Sequence, residues 1–184
     1  RGGIELREAA RVRVLGVDPC TAATGYGVVE TSGNGGPRLI ECGVIRTTPR
    51  TALPLRLREI HAALADLLRR HRPDVLAVEE AFHARNARTT LVLGQARGVI
   101  LLAGAEAGVV IAEYSPAVIK KTVTGRGAAL KPQVGFMVAQ LLRLRHAPAP
   151  ADAADGVAVA LTHLLCSRLS QRRAAGPPSR RAAK

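Results

Sequence analysis

Two short apolar runs in this chain each end on an acid. Val12-Arg13-Val14-Leu15-Gly16-Val17 leads into Asp18, and Val75-Leu76-Ala77-Val78 leads into Glu79. Both runs read as buried strands, so each acid falls at a strand end. A second acidic pair, Asp152 and Asp155, lies at i, i+3 in Ala151-Asp152-Ala153-Ala154-Asp155 and opens an Ala-rich helical stretch. Acids at strand ends and on one helix face can converge in space although distant in sequence. Carboxylate oxygens are what hard divalent cations prefer. The pattern therefore points to Mg²⁺-assisted chemistry.

The elements around these runs change period along the chain. Val12–Asp18, Gly25–Glu30 and Arg38–Arg46 read as three consecutive strands with short links, one of them the turn Ser32-Gly33-Asn34-Gly35-Gly36-Pro37, and so as an antiparallel meander. Leu55–His71 then places Leu55, Leu57, Ile60, Leu64, Leu67 and Leu68 at helical spacing and stops before Pro73. Strand Val75–Glu79 follows, then helix Asn86–Glu106, strand Val109–Glu113, helix Pro116–Val123, the loop Gly125-Arg126-Gly127, and helices Lys131–Arg145 and Ala151–Gln171. The expected fold is α/β: a five-stranded mixed sheet, three strands antiparallel and two added in parallel, flanked by helices. At 184 residues the chain suits one domain over 12–171. Residues 1–11 read as a flexible leader and 172–184 as a basic, Pro-containing disordered tail.

Charge names the class of partner. The chain carries 27 Lys and Arg against 14 Asp and Glu, a formal net charge of +13. After Glu113 the only acids are Asp152 and Asp155, while Lys120, Lys121, Arg126, Lys131, Arg143 and Arg145 lie between. An isolated acidic pair in a basic field suits a site that faces phosphate; a solvated basic face is the plainer alternative. The aromatics are only Tyr26, Phe82, Tyr114 and Phe136. That is too few for a protein that grips single strands mainly by stacking, so affinity should come from counterion release at the sugar-phosphate backbone. Cys20, Cys42 and Cys166 have neither metal-ligand spacing nor a disulfide framework, which suits a reducing cytoplasm. The apolar stretch from Leu91 to Ala112 is interrupted by Gln95, Arg97 and Glu106 and does not read as a membrane span.

Phosphodiester cleavage by two metals holds the ions about 3.5–4 Å apart around the scissile phosphate. One activates water, the other stabilises the leaving 3′-oxygen, and several carboxylates are needed because each ion keeps open positions. Each acid also has a local reading. An Asp before Pro is often a turn former, and an Asp near a helix start is often an N-cap, which applies to Asp152. Caps and turns do not account for the set of four. Glu80 competes with Glu79, but alternation turns the two to opposite faces.

Six segments in order resemble the RuvC family of crossover junction endodeoxyribonucleases. They are Leu15-Gly16-Val17-Asp18-Pro19, Thr24-Gly25-Tyr26-Gly27, Ala77-Val78-Glu79-Glu80-Ala81-Phe82, Leu93-Gly94-Gln95-Ala96-Arg97-Gly98, Lys120-Lys121-Thr122-Val123 and Asp152-Ala153-Ala154-Asp155-Gly156. The match spans roughly residues 12–171. It implies an RNase H-like fold and a homodimer. It also implies Mg²⁺-dependent hydrolysis, with Mn²⁺ able to substitute, that resolves Holliday junctions by symmetric paired nicks leaving 5′-phosphates. The RuvA–RuvB branch-migration complex is the implied partner, and the bacterial cytoplasm and nucleoid the implied place of action. Carried over by position, the metal ligands would be Asp18, Glu79, Asp152 and Asp155. Lys120 and Lys131 would stand beside the scissile phosphate, and Phe82 near the junction crossover. Phe82, His83, Arg85, Asn86, Lys121, Arg126 and Lys131 are the expected DNA contacts.

One position departs from the family. Cys20 stands where Gly usually follows Asp-Pro, and if that backbone needs positive φ, Cys is strained. A catalytically silent junction-binding protein is the alternative this raises; an RNase H-like nuclease of the YqgF type acting on ribosomal RNA precursors is another. An actin-like phosphotransferase, suggested by Gly16-Val17-Asp18-Pro19-Cys20-Thr21, would need a second domain. His163 lies about three turns beyond Asp152, too far to share a metal, and reads as a residue for core packing or a backbone contact. Helix Asn86–Glu106, with Gly94, Ala96, Gly98 and Ala103, is the candidate dimer interface.

Overall fold

The computed structural model describes residues 11–31, 36–80 and 87–174. Five strands, β1 (Val12–Asp18), β2 (Ala23–Thr31), β3 (Pro37–Arg46), β4 (Val75–Glu79) and β5 (Val110–Tyr114), form one sheet in the order β3-β2-β1-β4-β5. The β1/β2 and β2/β3 pairs are antiparallel; β1/β4 and β4/β5 are parallel. This is the expected mixed sheet, with β1 at its centre.

Alternation along the strands gives the sheet two apolar faces. Leu15, Val17, Val28, Leu76 and Val78 pack under α1 (Leu53–His71) and α2 (Ala87–Glu106). Val14, Val29, Val75 and Ala77 pack under α3 (Pro116–Thr124), α4 (Lys131–Leu141) and α5 (Ala151–Ala174). The central β1 is therefore covered on both sides, which is why its sequence is a nearly continuous apolar run.

Helix ends depart from the expected bounds where capping chemistry overrides periodicity. α1 begins two residues early, because Pro54 is tolerated in a first turn whose N–H groups lack partners, and it closes on left-handed Arg72, whose N–H bonds the Leu68 carbonyl. α4 stops at Leu141, not Arg145. Arg143 takes a left-handed φ of 54°, and Leu144 N donates to the Ala139 carbonyl at 2.9 Å, a closure usually marked by glycine. α5 continues past Gln171 to Ala174, so the first three residues of the expected tail are helical. No described helix is long and apolar enough to cross a membrane.

Candidate active site

Asp18 and Glu79 end neighbouring parallel strands. Val17 pairs with Val78, and the two acids are the next positions along. In β1, Val14 and Gly16 face α5, and in β4, Val75 and Ala77 share that face; alternation turns Asp18 and Glu79 the same way. Both acids thus sit at the carboxyl ends of the strands, where open α/β sheets place their ligands.

Glycine lets the last helix reach them. A Cβ on Gly16 would stand 2.3 Å from the Ala160 backbone nitrogen, and one on Gly25 would stand 1.8 Å from the Asp152 carbonyl oxygen. Neither position tolerates a side chain, so α5 lies with its backbone directly against β1 and β2. That contact delivers the first turns of α5 to Asp18. These glycine seats belong to the site as much as the acids do. Their signal was in the sequence, as Leu15-Gly16 and Thr24-Gly25-Tyr26-Gly27, although it was read there only as part of a family pattern.

The result is one hollow of about 170 Å³ lined by Asp18, Glu79, Asp155, Lys120 and Lys131, with Pro116, Ile119, Val134 and Ala158 as its apolar wall. Burial, with repulsion from Asp155 and Asp152, pushes the Asp18 carboxyl above its ordinary range. Burial and the charges of Asp18 and Asp155 push Glu79 up further, while Lys131 and Lys120 pull it back. Glu79 hydrogen-bonds Asp18. The Lys131 ammonium binds Asp155 Oδ2 at 2.7 Å, and this bond holds its own pKa up. The cluster thus keeps a proton between two carboxyls and an ammonium on the third.

That is the electrostatic profile of a cation site. Desolvated carboxylates that cannot all ionise together are relieved by a divalent cation, and the donor set is all oxygen. As placed, no group of three or more His, Cys, Asp or Glu among the described residues is arranged to hold a metal ion. A cation entering here would compete with the Lys131 ammonium for Asp155.

The expected residues are not all brought together. Asp152 lies within the first turn of α5, which starts at Ala151, so it is not the capping residue. It is half-buried and outside the hollow's lining, although its charge reaches Asp18 and Lys131. Three residues of helix separate it from Asp155 by about 60° of azimuth, enough to set it on the rim. Lys121 is exposed and does not line the hollow, and Arg126 lines a neighbouring hollow. Phe82, His83, Arg85 and Asn86 lie outside the described residues, as does the first residue of the expected interface helix. Glu80 does not line the hollow; its N–H donates to the Tyr114 carbonyl at 2.9 Å.

Two other expectations resolve. Cys20 is not among the described non-glycine residues with positive φ, so the expected strain is absent. Its loop is held by Thr24, whose Oγ1 accepts from Cys20 N at 3.3 Å and whose hydroxyl donates to the Cys20 carbonyl. His163 makes a side-chain hydrogen bond with no metal role: its Nδ1 lies 2.9 Å from the Tyr114 hydroxyl, and burial lowers its pKa.

Known proteins share this sequence pattern and fold. The sequence profile described as crossover junction endodeoxyribonuclease RuvC matches residues 14–163. The RuvC protein of Desulforamulus reducens is 49% identical over 150 residues, covering 82% of this chain and 91% of that protein. The RuvC of Syntrophomonas wolfei is 46% identical over 159 residues, covering 86% and 92%. The solved structure of Thermus thermophilus RuvC in complex with a Holliday junction substrate superposes with a TM-score of 0.81 at 38% identity, covering 86% of this chain and 96% of that one. This chain belongs to the RuvC family of crossover junction endodeoxyribonucleases.

Proposed function

We propose that this protein is a Holliday junction resolvase that hydrolyses one phosphodiester bond in each of two opposing strands of a four-way DNA junction. The observation that carries the reading is the meeting of Asp18, Glu79 and Asp155 with Lys120 and Lys131 in one hollow at the carboxyl end of the sheet. Asp18, Glu79 and Asp155 would hold divalent cations, Mg²⁺ by preference and two per site, with Asp152 adding charge from the rim. Bound there, the cations supply an activated water and stabilisation of the leaving 3′-oxygen.

The chain's own side chains do the rest. Lys131 exchanges Asp155 for the incoming phosphate, so its ammonium is held in reserve until substrate arrives. Lys120 faces the same space from α3 and steadies the charge that develops on the phosphoryl oxygens. The apolar wall of Ile119, Val134 and Ala158 keeps the carboxylates poorly hydrated, which strengthens their hold on cations. The excess of basic residues supplies sequence-independent affinity for the DNA backbone.

Symmetric nicking calls for two sites, and α2 supplies a surface for pairing. Leu91 is 69% exposed and Leu102 51% exposed, and Gly94 and Gly98 between them face open space. An apolar stripe at i, i+3, i+7 and i+11 with small residues at its centre suits close packing against a second copy of itself about a two-fold axis. The RuvA–RuvB complex is the family partner this dimer would work beside.

The test is cleavage of synthetic substrates. Four-way junctions should be nicked in Mg²⁺ at paired positions while linear duplex and RNA are spared, and junction affinity should fall steeply with salt. Equal cleavage of linear duplex, or cleavage of RNA alone, would defeat the assignment.

A further inference from the structure

A second hollow adjoins the catalytic one. It measures about 420 Å³ and is lined by Thr124, Arg126, Pro132, Gln133, Phe136 and Met137, between the end of α3 and the outer face of α4. Phe136 is 61% exposed, and Leu130 nearby is 68% exposed. The two hollows share no lining residue, but α3 and α4 contribute to both. Lys120 lines the first, and Thr124, one turn further on α3, lines the second. Lys131 opens α4 in the first, and Pro132 follows it in the second. From Lys131 to Phe136 the helix rises by about 7.5 Å and turns through about 140°, so a strand passing from one to the other crosses the end of α4 over several base steps.

The polar groups of this hollow are donors. Gln133 Oε1 already accepts from Leu130 N at 2.8 Å, which leaves its amide N–H groups free to face outward. The Thr124 hydroxyl donates to the Lys120 carbonyl at 2.8 Å and accepts from Arg126 N at 3.1 Å, so it is spent. The Arg126 guanidinium can only donate. An exposed ring beside two donors, in a basic surround, matches a nucleobase whose edge is rich in acceptors: guanine through O6 and N7, or thymine through O4.

We propose that this hollow takes one base of the strand whose phosphate enters the catalytic hollow, stacked on Phe136 and read by Arg126 and Gln133, so that Phe136 helps set the sequence at which the junction is cut. The inference rests on the resolvase reading and adds to it a specificity pocket for a keto base. A docked protein segment is the competing occupant.

The experiment varies the bases within three nucleotides of the cut, one at a time, and compares single-turnover cleavage in Mg²⁺ by wild type, Phe136→Ala, Phe136→Leu and Phe136→Tyr, each checked for a wild-type melting curve. Wild type should favour guanine or thymine at one position. Phe136→Ala and Phe136→Leu should cut the favoured junction about ten-fold more slowly and flatten that preference, and Phe136→Tyr should restore both. A fluorescent guanine analogue that keeps the keto oxygen, placed at the same position, should be quenched on binding in Ca²⁺ by wild type and by Phe136→Tyr, but not by Phe136→Ala. A wild type that cuts with no base preference, or a Phe136→Ala enzyme that keeps the wild-type preference and quenching, overturns the pocket while leaving the resolvase reading intact; the second result leaves the hollow to a protein partner. A wild type that cuts no junction overturns both.

Discussion

The Lys131 ammonium sits 2.7 Å from Asp155 Oδ2, across the mouth of a hollow that holds two further carboxyls. One lysine thereby neutralises a carboxylate of the hollow proposed to take divalent cations. Lys131→Met should cut single-turnover nicking in Mg²⁺ by a factor of about 10²–10³, the scale of losing one preorganised charge partner at a reacting phosphoryl group. Lys131→Arg should retain a measurable fraction of it. Wild-type rates from Lys131→Met would remove this residue from the chemistry.

Asp18→Asn should abolish nicking and leave junction binding intact, because it removes an oxygen ligand and no phosphate contact. The same change should raise the melting temperature of the metal-free protein. Burial and neighbouring acids raise the Asp18 carboxyl in the fold, and Glu79 is raised to about 8. For groups raised in this way, stability is fully present below the ordinary carboxylate range and is lost as pH climbs toward the folded values. The advantage of Asp18→Asn should therefore widen between about pH 4 and pH 6, where Asp18 titrates, and shrink on adding Mg²⁺, which stabilises only the wild type. Scanning calorimetry across that range decides it; equal Mg²⁺ stabilisation of both proteins would count against Asp18 as a ligand.

Near the end of β2, opposite Arg13 of β1, Glu30 is 4% exposed and accepts from Arg11, Arg13 and Arg38. Burial alone would raise its carboxyl, but the hydrogen bonds from Arg38, Arg11 and Arg13 outweigh it and hold it at about 2. A lowered carboxyl contributes stability that is present above its unfolded value and lost as pH falls through the folded one. Glu30→Gln should cost on the order of 3 kcal/mol at pH 7, and the gap to wild type should close between about pH 4.5 and pH 2. Denaturant unfolding at pH 7 and pH 3 checks both parts. Nicking per folded molecule should not change.

Gly25→Ala places a methyl carbon into the Asp152 carbonyl, where the available separation is 1.8 Å. Overpacking of this kind costs about 1–3 kcal/mol, and relief here means moving α5 off the sheet. Because α5 carries Asp155, the variant should lose nicking far more than it loses stability. A Gly25→Ala protein with full activity would show that the helix need not lie so close. Gly36→Ala, where a Cβ meets nothing within 4 Å, is the control for glycine replacement itself.

The succession of strands and helices, the mixed sheet and the positions of Asp18 and Glu79 at strand ends were legible in the sequence, because alternation and helical spacing are local properties of the chain and short links dictate how neighbouring strands pair. So was the basic field around Asp152 and Asp155, which is a matter of composition. Local signals failed where the chain closes a helix without its usual marker, as at Arg143, and where a residue's role depends on what stands across from it. Asp152 and Asp155 are equivalent in a helical pattern, yet the placement of α5 against Gly25 turns one into the hollow and leaves the other on its rim. Cys20 reads as a strain on paper and is relaxed in the fold. Which carboxyls share a proton, and that Lys131 rather than Lys121 reaches them, follow from packing between elements far apart in sequence. Backbone patterns are set by neighbours along the chain; electrostatics at the site are set by neighbours through space, and only folding brings those together.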